Sequence, residues 1–200
     1  MCVTNFIDSW NLDKIFDELN NAGFAIIDHA YPEQFLDDVR QECLANLDAF
    51  REAAIQNGVV SKIRSDHILW IDEQLSLATE HSNTLLSLGQ EFNRYFYSNI
   101  REVEAHFAQY QAGEFYALHR DNPQQKNNRI LSCVFYLQKE WQSDWGGQLR
   151  LQDKQDQWHL IEPIGNRIAI FQSDLLHEVL AAKQQRLSIT AWLRSQETLW

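Results

Sequence analysis

The apolar positions of this chain follow two different periods. Leu12, Ile15, Phe16 and Leu19 recur at helical spacing, and Gly23 follows as a stop. The run Phe24-Ala25-Ile26-Ile27 reads as a short strand. Pro32 is expected to open a second helix, because a first-turn N–H has no helical partner to lose. Its apolar stripe is Phe35, Leu36, Val39, Cys43, Leu47 and Phe50. Residues 57–72 are less regular, and a third helix over about 80–98 buries Leu85, Leu88, Phe92, Tyr95 and Phe96.

From Arg101 onward the period falls to two. Val103, Ala105 and Phe107 alternate with polar neighbours, and Ile130 to Leu137 reads as a strand buried on both faces. Leu149 with Leu151, Trp158 to Ile161, Arg167 to Phe171, and Arg186 to Leu193 predict four more strands. Gly146-Gly147 and Pro163-Ile164-Gly165-Asn166 mark turns. The fold class is α+β: a helical first half, then many short strands suited to a barrel or a two-sheet jelly roll.

Composition narrows the function. A length of 200 residues suits one domain, 1–200, with a single sizeable core. The net charge of −11 repels phosphate backbones, which argues against a nucleic-acid partner, although Lys62 and Arg64 form a local basic exception. The cysteines, Cys2, Cys43 and Cys133, are odd in number and contain no CxxC pair, so neither a disulfide framework nor a thiolate zinc site is expected. No basic segment leads into an apolar core at the N-terminus, and no apolar run is long enough to cross a membrane. The expected location is a reducing cytoplasm, with no membrane partner.

Tyr116-Ala117-Leu118-His119-Arg120-Asp121 carries the candidate chemistry. On a strand, residues two apart share a face, so His119 and Asp121 can offer an imidazole nitrogen and a carboxylate oxygen to one ion. His177, at the start of a later strand, is the candidate third ligand. Two histidines and one carboxylate on one face of an octahedron leave three positions open, the arrangement of non-haem iron(II) oxygenases. An H-x-D pair alone is a weak signal in a chain with 7 histidines. His29, His67, His81, His106 and His159 are read as structural or surface residues.

The signal strengthens at Arg186-Leu187-Ser188-Ile189-Thr190-Ala191-Trp192, where alternation puts Arg186, Ser188, Thr190 and Trp192 on one face. An arginine inside a barrel needs an anion beside it, since an unpaired buried charge is costly. The guanidinium fork suits a carboxylate. Tyr136, in the middle of an apolar strand, can add a phenolic hydrogen bond to the same anion. The competing reading pairs Arg186 with an internal acid and leaves Tyr136 as ordinary core.

Residues 103–193 resemble the catalytic domain of the prolyl 4-hydroxylase family of 2-oxoglutarate oxygenases, in the branch of the hypoxia-factor prolyl hydroxylases and their bacterial homologues. The residues that carry the likeness are Tyr110-Gln111-Ala112-Gly113, Tyr116, His119-Arg120-Asp121-Asn122-Pro123, Arg129, Tyr136-Leu137, Trp141, Gly146-Gly147, Ile161-Glu162-Pro163, His177-Glu178-Val179 and Arg186 to Trp192. The resemblance implies a double-stranded β-helix core over 101–194, supported by helices over 1–100. It implies iron(II) on His119, Asp121 and His177, and 2-oxoglutarate and molecular oxygen as co-substrates. Arg186 and Tyr136 would hold the far carboxylate of 2-oxoglutarate, with Thr190 nearby and Tyr110 close to its metal-binding end. Arginine at 186 matches this branch, whereas collagen-type relatives use lysine there.

Arg64-Ser65-Asp66-His67-Ile68-Leu69-Trp70 resembles the R-x-D-x-I-x-W stretch of the same branch, which leads into a loop closing over the peptide. This makes 57–72 a substrate-side loop. Arg64, Asp66 and Trp70 become candidate substrate residues, together with Arg129 and Trp192 at the barrel mouth. The alternative is a local Arg64–Asp66 ion pair and a Trp70 packed in the core. The expected activity is hydroxylation of a prolyl residue in a flexible loop of a partner protein, with succinate and carbon dioxide as products. Rival readings are an oxygenase acting on a free amino acid or other small molecule, a non-catalytic sensor of iron and 2-oxoglutarate, and a structural zinc site.

Overall fold

The computed structural model describes residues 6–53, 63–123 and 128–195. Cys2, Lys62 and the 57–62 portion of the irregular segment lie outside them. Helix α1 (Leu12–Asn21) begins where the Asn11 side chain accepts the Lys14 N–H, and it buries Ile15, Phe16 and Leu19. It stops before Gly23, whose φ of +86° favours a residue without Cβ. Strand β1 (Phe24–Ile27) follows directly.

Helix α2 (Glu33–Ala45) is shorter than its apolar stripe predicts. Leu47 falls in a separate 3-10 turn, Leu47–Ala49, and Phe50 lies beyond that in extended backbone. Pro32 caps α2 from outside rather than occupying its first turn. Helix α3 (Ser76–Phe96) starts earlier than expected and ends at Tyr97, which takes a left-handed conformation. Short strands β2 (Arg51–Glu52) and β3 (His67–Trp70) lie between α2 and α3.

Apart from a 3-10 turn at Ser143–Trp145, the regular elements described in the second half are strands: β4 (Ile100–Tyr110), β5 (Tyr116–His119), β6 (Arg129–Tyr136), β7 (Leu149–Gln152), β8 (Trp158–Ile161), β9 (Ile168–Gln172), β10 (His177–Val179) and β11 (Arg186–Ser195). They form a large antiparallel sheet, β1-β9-β6-β11-β4-β3-β2, and a small one, β5-β10-β7-β8. Together the two sheets make the double-stranded β-helix.

Strand alternation assigns the two faces of the large sheet to different partners. Phe107, Cys133, Phe135, Leu187, Ile189 and Leu193 join the helices in the main core. Fully burying each Leu or Phe there contributes roughly 1.5–3 kcal/mol. The opposite face meets the small sheet through Val134, Tyr136, Leu149, Leu151 and Phe171. The helices thus brace one side of the sheet and leave the other to frame a cavity. Cys43 and Cys133 are buried free thiols. No helix among the described residues is long and apolar enough to cross a membrane.

Candidate active site

His119 ends β5 and His177 begins β10, and the antiparallel register sets these two residues directly opposite each other. Ligand atoms of His119, Asp121 and His177 all lie within 4.8 Å of one another. Asp121 reaches the cluster differently from the expectation. Strand β5 has already ended at His119, and the chain bends before Asp121. The bend is fixed by Asn122, whose backbone N–H donates to the Ser173 carbonyl (2.8 Å) and whose side chain donates to the Arg129 carbonyl (2.8 Å).

Both imidazoles are oriented by main chain. Nδ1–H of His119 donates to the Ala117 carbonyl at 2.7 Å, and that of His177 to the Leu175 carbonyl at 2.9 Å. Each Nε2 therefore presents a lone pair to the cluster. Burial pushes the His177 imidazole down to about 4, against the pull of Asp121, so it is neutral at pH 7. Burial also opposes ionisation of Asp121, yet the neighbouring His177 and His119 rings hold its carboxyl well below the usual carboxylate range. Ser132 Oγ donates to Asp121 Oδ2 at 2.7 Å and lies 2.9 Å from Ser173 Oγ. These two serines were not singled out from sequence. A serine in the middle of the apolar run 130–137 was the available signal, because a buried hydroxyl needs a partner.

Two imidazole nitrogens and one ionised carboxylate, open towards a cavity, suit a divalent metal of the iron(II) type. A closed structural zinc site would require a fourth protein ligand, and none joins the cluster among the described residues.

The cavity continues to Arg186, which is 1% exposed. No carboxylate among the described residues lies within ion-pair distance of it. One Nη donates to Ser188 Oγ at 3.2 Å, while Nε has no partner. The guanidinium sits between the rings of Tyr110 (4.8 Å) and Tyr136 (5.0 Å). The Tyr136 hydroxyl is also buried without a partner. A buried cation and an orphaned phenol side by side are the complement of a carboxylate. The internal-acid reading of Arg186 is therefore set aside. Thr190 lines the same cavity.

Arg64 and Asp66 form a bidentate pair at 2.8 and 2.6 Å, both buried, so the ion-pair expectation holds; Arg64 also lines the cavity. Its guanidinium lies 4.4 Å above the ring of Tyr116, which itself stacks on His119. Trp70 is not core: it is 49% exposed and meets His106 edge-on at 5.1 Å. Arg129 covers the Trp192 ring at 3.5 Å and donates to Glu104 at 3.0 Å. His29 is exposed, His159 pairs with Asp153, His67 with Glu114, and His81 is buried beside Tyr31. His106 departs from the expectation for these five, because it lines the cavity.

A jelly roll with a His-Asp-His cluster on its small sheet and a buried arginine on its large one defines the class of iron(II)-dependent oxygenases. Residues 105–194 match the 2OG-Fe(II) oxygenase superfamily. The crystal structure of a Pseudomonas putida prolyl-4-hydroxylase is 31% identical, with a TM-score of 0.85 covering 92% of this chain and 99% of that one. A Trichoplax adhaerens prolyl hydroxylase in complex with a peptide fragment of the hypoxia-inducible factor oxygen degradation domain is 30% identical. Its TM-score is 0.86, covering 92% and 89% of the two chains. The mouse prolyl hydroxylase EGLN3 is 30% identical over 208 residues, 90% of this chain and 82% of its own length. The chain spans between 28% and 82% of the first curated relatives it matches. It belongs to the prolyl hydroxylase family of 2-oxoglutarate- and iron(II)-dependent dioxygenases, which use iron(II), 2-oxoglutarate and oxygen.

Proposed function

We propose that this enzyme hydroxylates a prolyl residue in a flexible loop of a partner protein. The observation that carries the reading is that one cavity is lined by the metal-ligand cluster, Arg186, Arg64 and Trp192, with Trp70 against His106 and Arg129 over Trp192 beside it. The Trichoplax relative with a bound hypoxia-factor peptide supports a peptide as an occupant of that cavity.

His119, Asp121 and His177 hold iron(II). Arg186 and Tyr136 bind the far carboxylate of 2-oxoglutarate, with Thr190 beside it and Tyr110 closing the near side. Arg64, Asp66, Trp70, Arg129 and Trp192 receive the peptide. Bound iron, 2-oxoglutarate and oxygen supply the oxidising power: one oxygen atom enters the proline ring, the other enters succinate, and carbon dioxide is released. The protein contributes position and dryness. Main-chain carbonyls fix both imidazoles, Ser132 fixes Asp121, and the two sheets exclude water from the reacting end.

A single apolar core running from Ile7 to Leu193 supports treating 1–100 and 101–194 as one domain. Buried free thiols support a reducing cytoplasmic location. The experiment is addition of purified protein, iron(II) and 2-oxoglutarate, under labelled oxygen, to an extract from cells lacking this gene. Labelling of a proline in one protein, lost with His119→Ala, is the expected result. Succinate formation with no labelled protein would replace this reading with a small-molecule substrate.

A further inference from the structure

The row of residues across the inward face of the large sheet contains a polar group that the reading above leaves unused. Trp70, His106, Thr190 and Val134 are register partners on neighbouring strands, so their side chains line up across β3, β4, β11 and β6. Arg186 and Trp192 lie six residues apart on β11, about 20 Å along an extended strand. His106 faces the stretch between them, four residues from the arginine's end of that span and two from the tryptophan's when followed through Thr190.

His106 is 2% exposed and lines the cavity. Its ring is wedged between Trp70 (5.1 Å) and Trp192 (5.4 Å). Nδ1 faces the Phe107 carbonyl at 3.1 Å, and a carbonyl can only accept, so Nδ1 carries the proton. Nε2 is therefore a bare acceptor, and it makes no hydrogen bond among the described residues. Burial pushes the imidazole down to about 4 despite the pull of Asp66, so the acceptor persists at neutral pH. Beside it, the Trp192 indole N–H is turned to the Asp121 carboxylate, which leaves His106 as an open polar group of this wall. A core histidine with no other task would normally have both nitrogens satisfied.

A bare acceptor on the cavity wall complements the N–H of an extended peptide. We propose that His106 Nε2 accepts a backbone N–H of the substrate peptide, next to the target proline. This rests on the prolyl hydroxylase reading and deepens it. Proline has no N–H, so the donor belongs to a flanking residue. His106 is thus a specificity-determining residue that selects a chain with a free amide beside the proline and disfavours a second proline at that position.

The test uses a library of synthetic peptides with a central proline, screened with the wild-type enzyme for one added oxygen by mass spectrometry. On the best peptide, each backbone amide flanking the proline is then N-methylated in turn. The expected result is one position at which methylation raises KM about ten-fold, the effect of one lost hydrogen bond. His106→Met should raise KM for the unmethylated peptide by a similar factor, and the same methylation should then add little, because both changes remove one contact. His106→Gln, which keeps an acceptor oxygen, should recover part of the loss. Binding of Co(II) and 2-oxoglutarate by both variants checks that the fold is intact. Additive effects of methylation and His106→Met, or tolerance of methylation at every position, would overturn the assignment. The wild-type measurement decides this even where a variant misfolds. If the wild type hydroxylates no peptide in the library, the prolyl hydroxylase reading itself falls and the inference with it.

Discussion

The Tyr116 ring lies flat on the imidazole of His119, with centroids 3.6 Å apart and planes 14° from parallel. The opposite flank of the tyrosine faces the Arg64 guanidinium, itself clamped by Asp66. A proposed metal ligand is thus held on one side by a main-chain carbonyl and on the other by an aromatic face. Tyr116→Leu should weaken metal retention several-fold, whereas Tyr116→Phe, which keeps the ring, should not. Titration with Co(II), followed by its visible absorption, reads this directly.

His119→Ala and Asp121→Ala should lose iron and activity together while leaving a folded protein. Iron content after dialysis and far-ultraviolet circular dichroism check the two halves of that statement. An alanine variant that kept stoichiometric iron would remove that residue from the ligand set.

Arg186→Ala should raise the 2-oxoglutarate requirement more than ten-fold, because it removes a charge-assisted pair from a dry site. Arg186→Lys should fall between, since an ammonium keeps the charge but not the fork. Binding of 2-oxoglutarate to the metal-loaded protein is the measurement, and wild-type affinity in Arg186→Ala would move the anchor elsewhere.

Acid should destabilise this protein early. Burial pushes His81 down to about 3, and His81 also meets the Tyr31 hydroxyl at 2.6 Å. An unfolded histidine binds its proton below about 6.5, whereas the folded one stays neutral, so stability falls as pH drops from 6.5 towards 3. A single such group contributes a slope of up to about 1.4 kcal/mol per pH unit. His81→Phe should flatten the slope by about one proton; urea unfolding at pH 7, 6 and 5 compares the two proteins.

Gly146 has a φ of +72°, and a Cβ there would collide with the Ala181 carbonyl oxygen. Gly146→Ala should therefore cost on the order of 1–3 kcal/mol. A lowered Tm with the 2-oxoglutarate affinity of the folded enzyme retained is the expected outcome.

Much of this architecture was legible because its signals are periodic. The residues of β1 and β8, and the first residue of β10, sit where the alternation puts them, and Arg186, Thr190 and Trp192 line one cavity as their spacing requires. The places where sequence misled have local causes. Leu47 and Phe50 continue the apolar stripe of α2, but Leu47 packs partly buried from a 3-10 turn and Phe50 is buried from an extended residue, which a periodic count cannot separate from helix. Asp121 has the strand spacing from His119 and yet lies past a bend held by Asn122, a contact set by residues far along the chain. His106 gave no signal at all, because its environment is made by Trp70 and Trp192 arriving from other strands.

His119 and His177 stand on the small sheet and Arg186 on the large one, so the gap between the sheets works as a gauge. A ligand held at both ends would have to match the length of that gap. Any molecule that does reach across becomes a rivet through the sandwich, adding its own binding energy to the cohesion of the two layers. The enzyme charged with its co-substrate is then a stiffer, slower-opening object than the same chain alone.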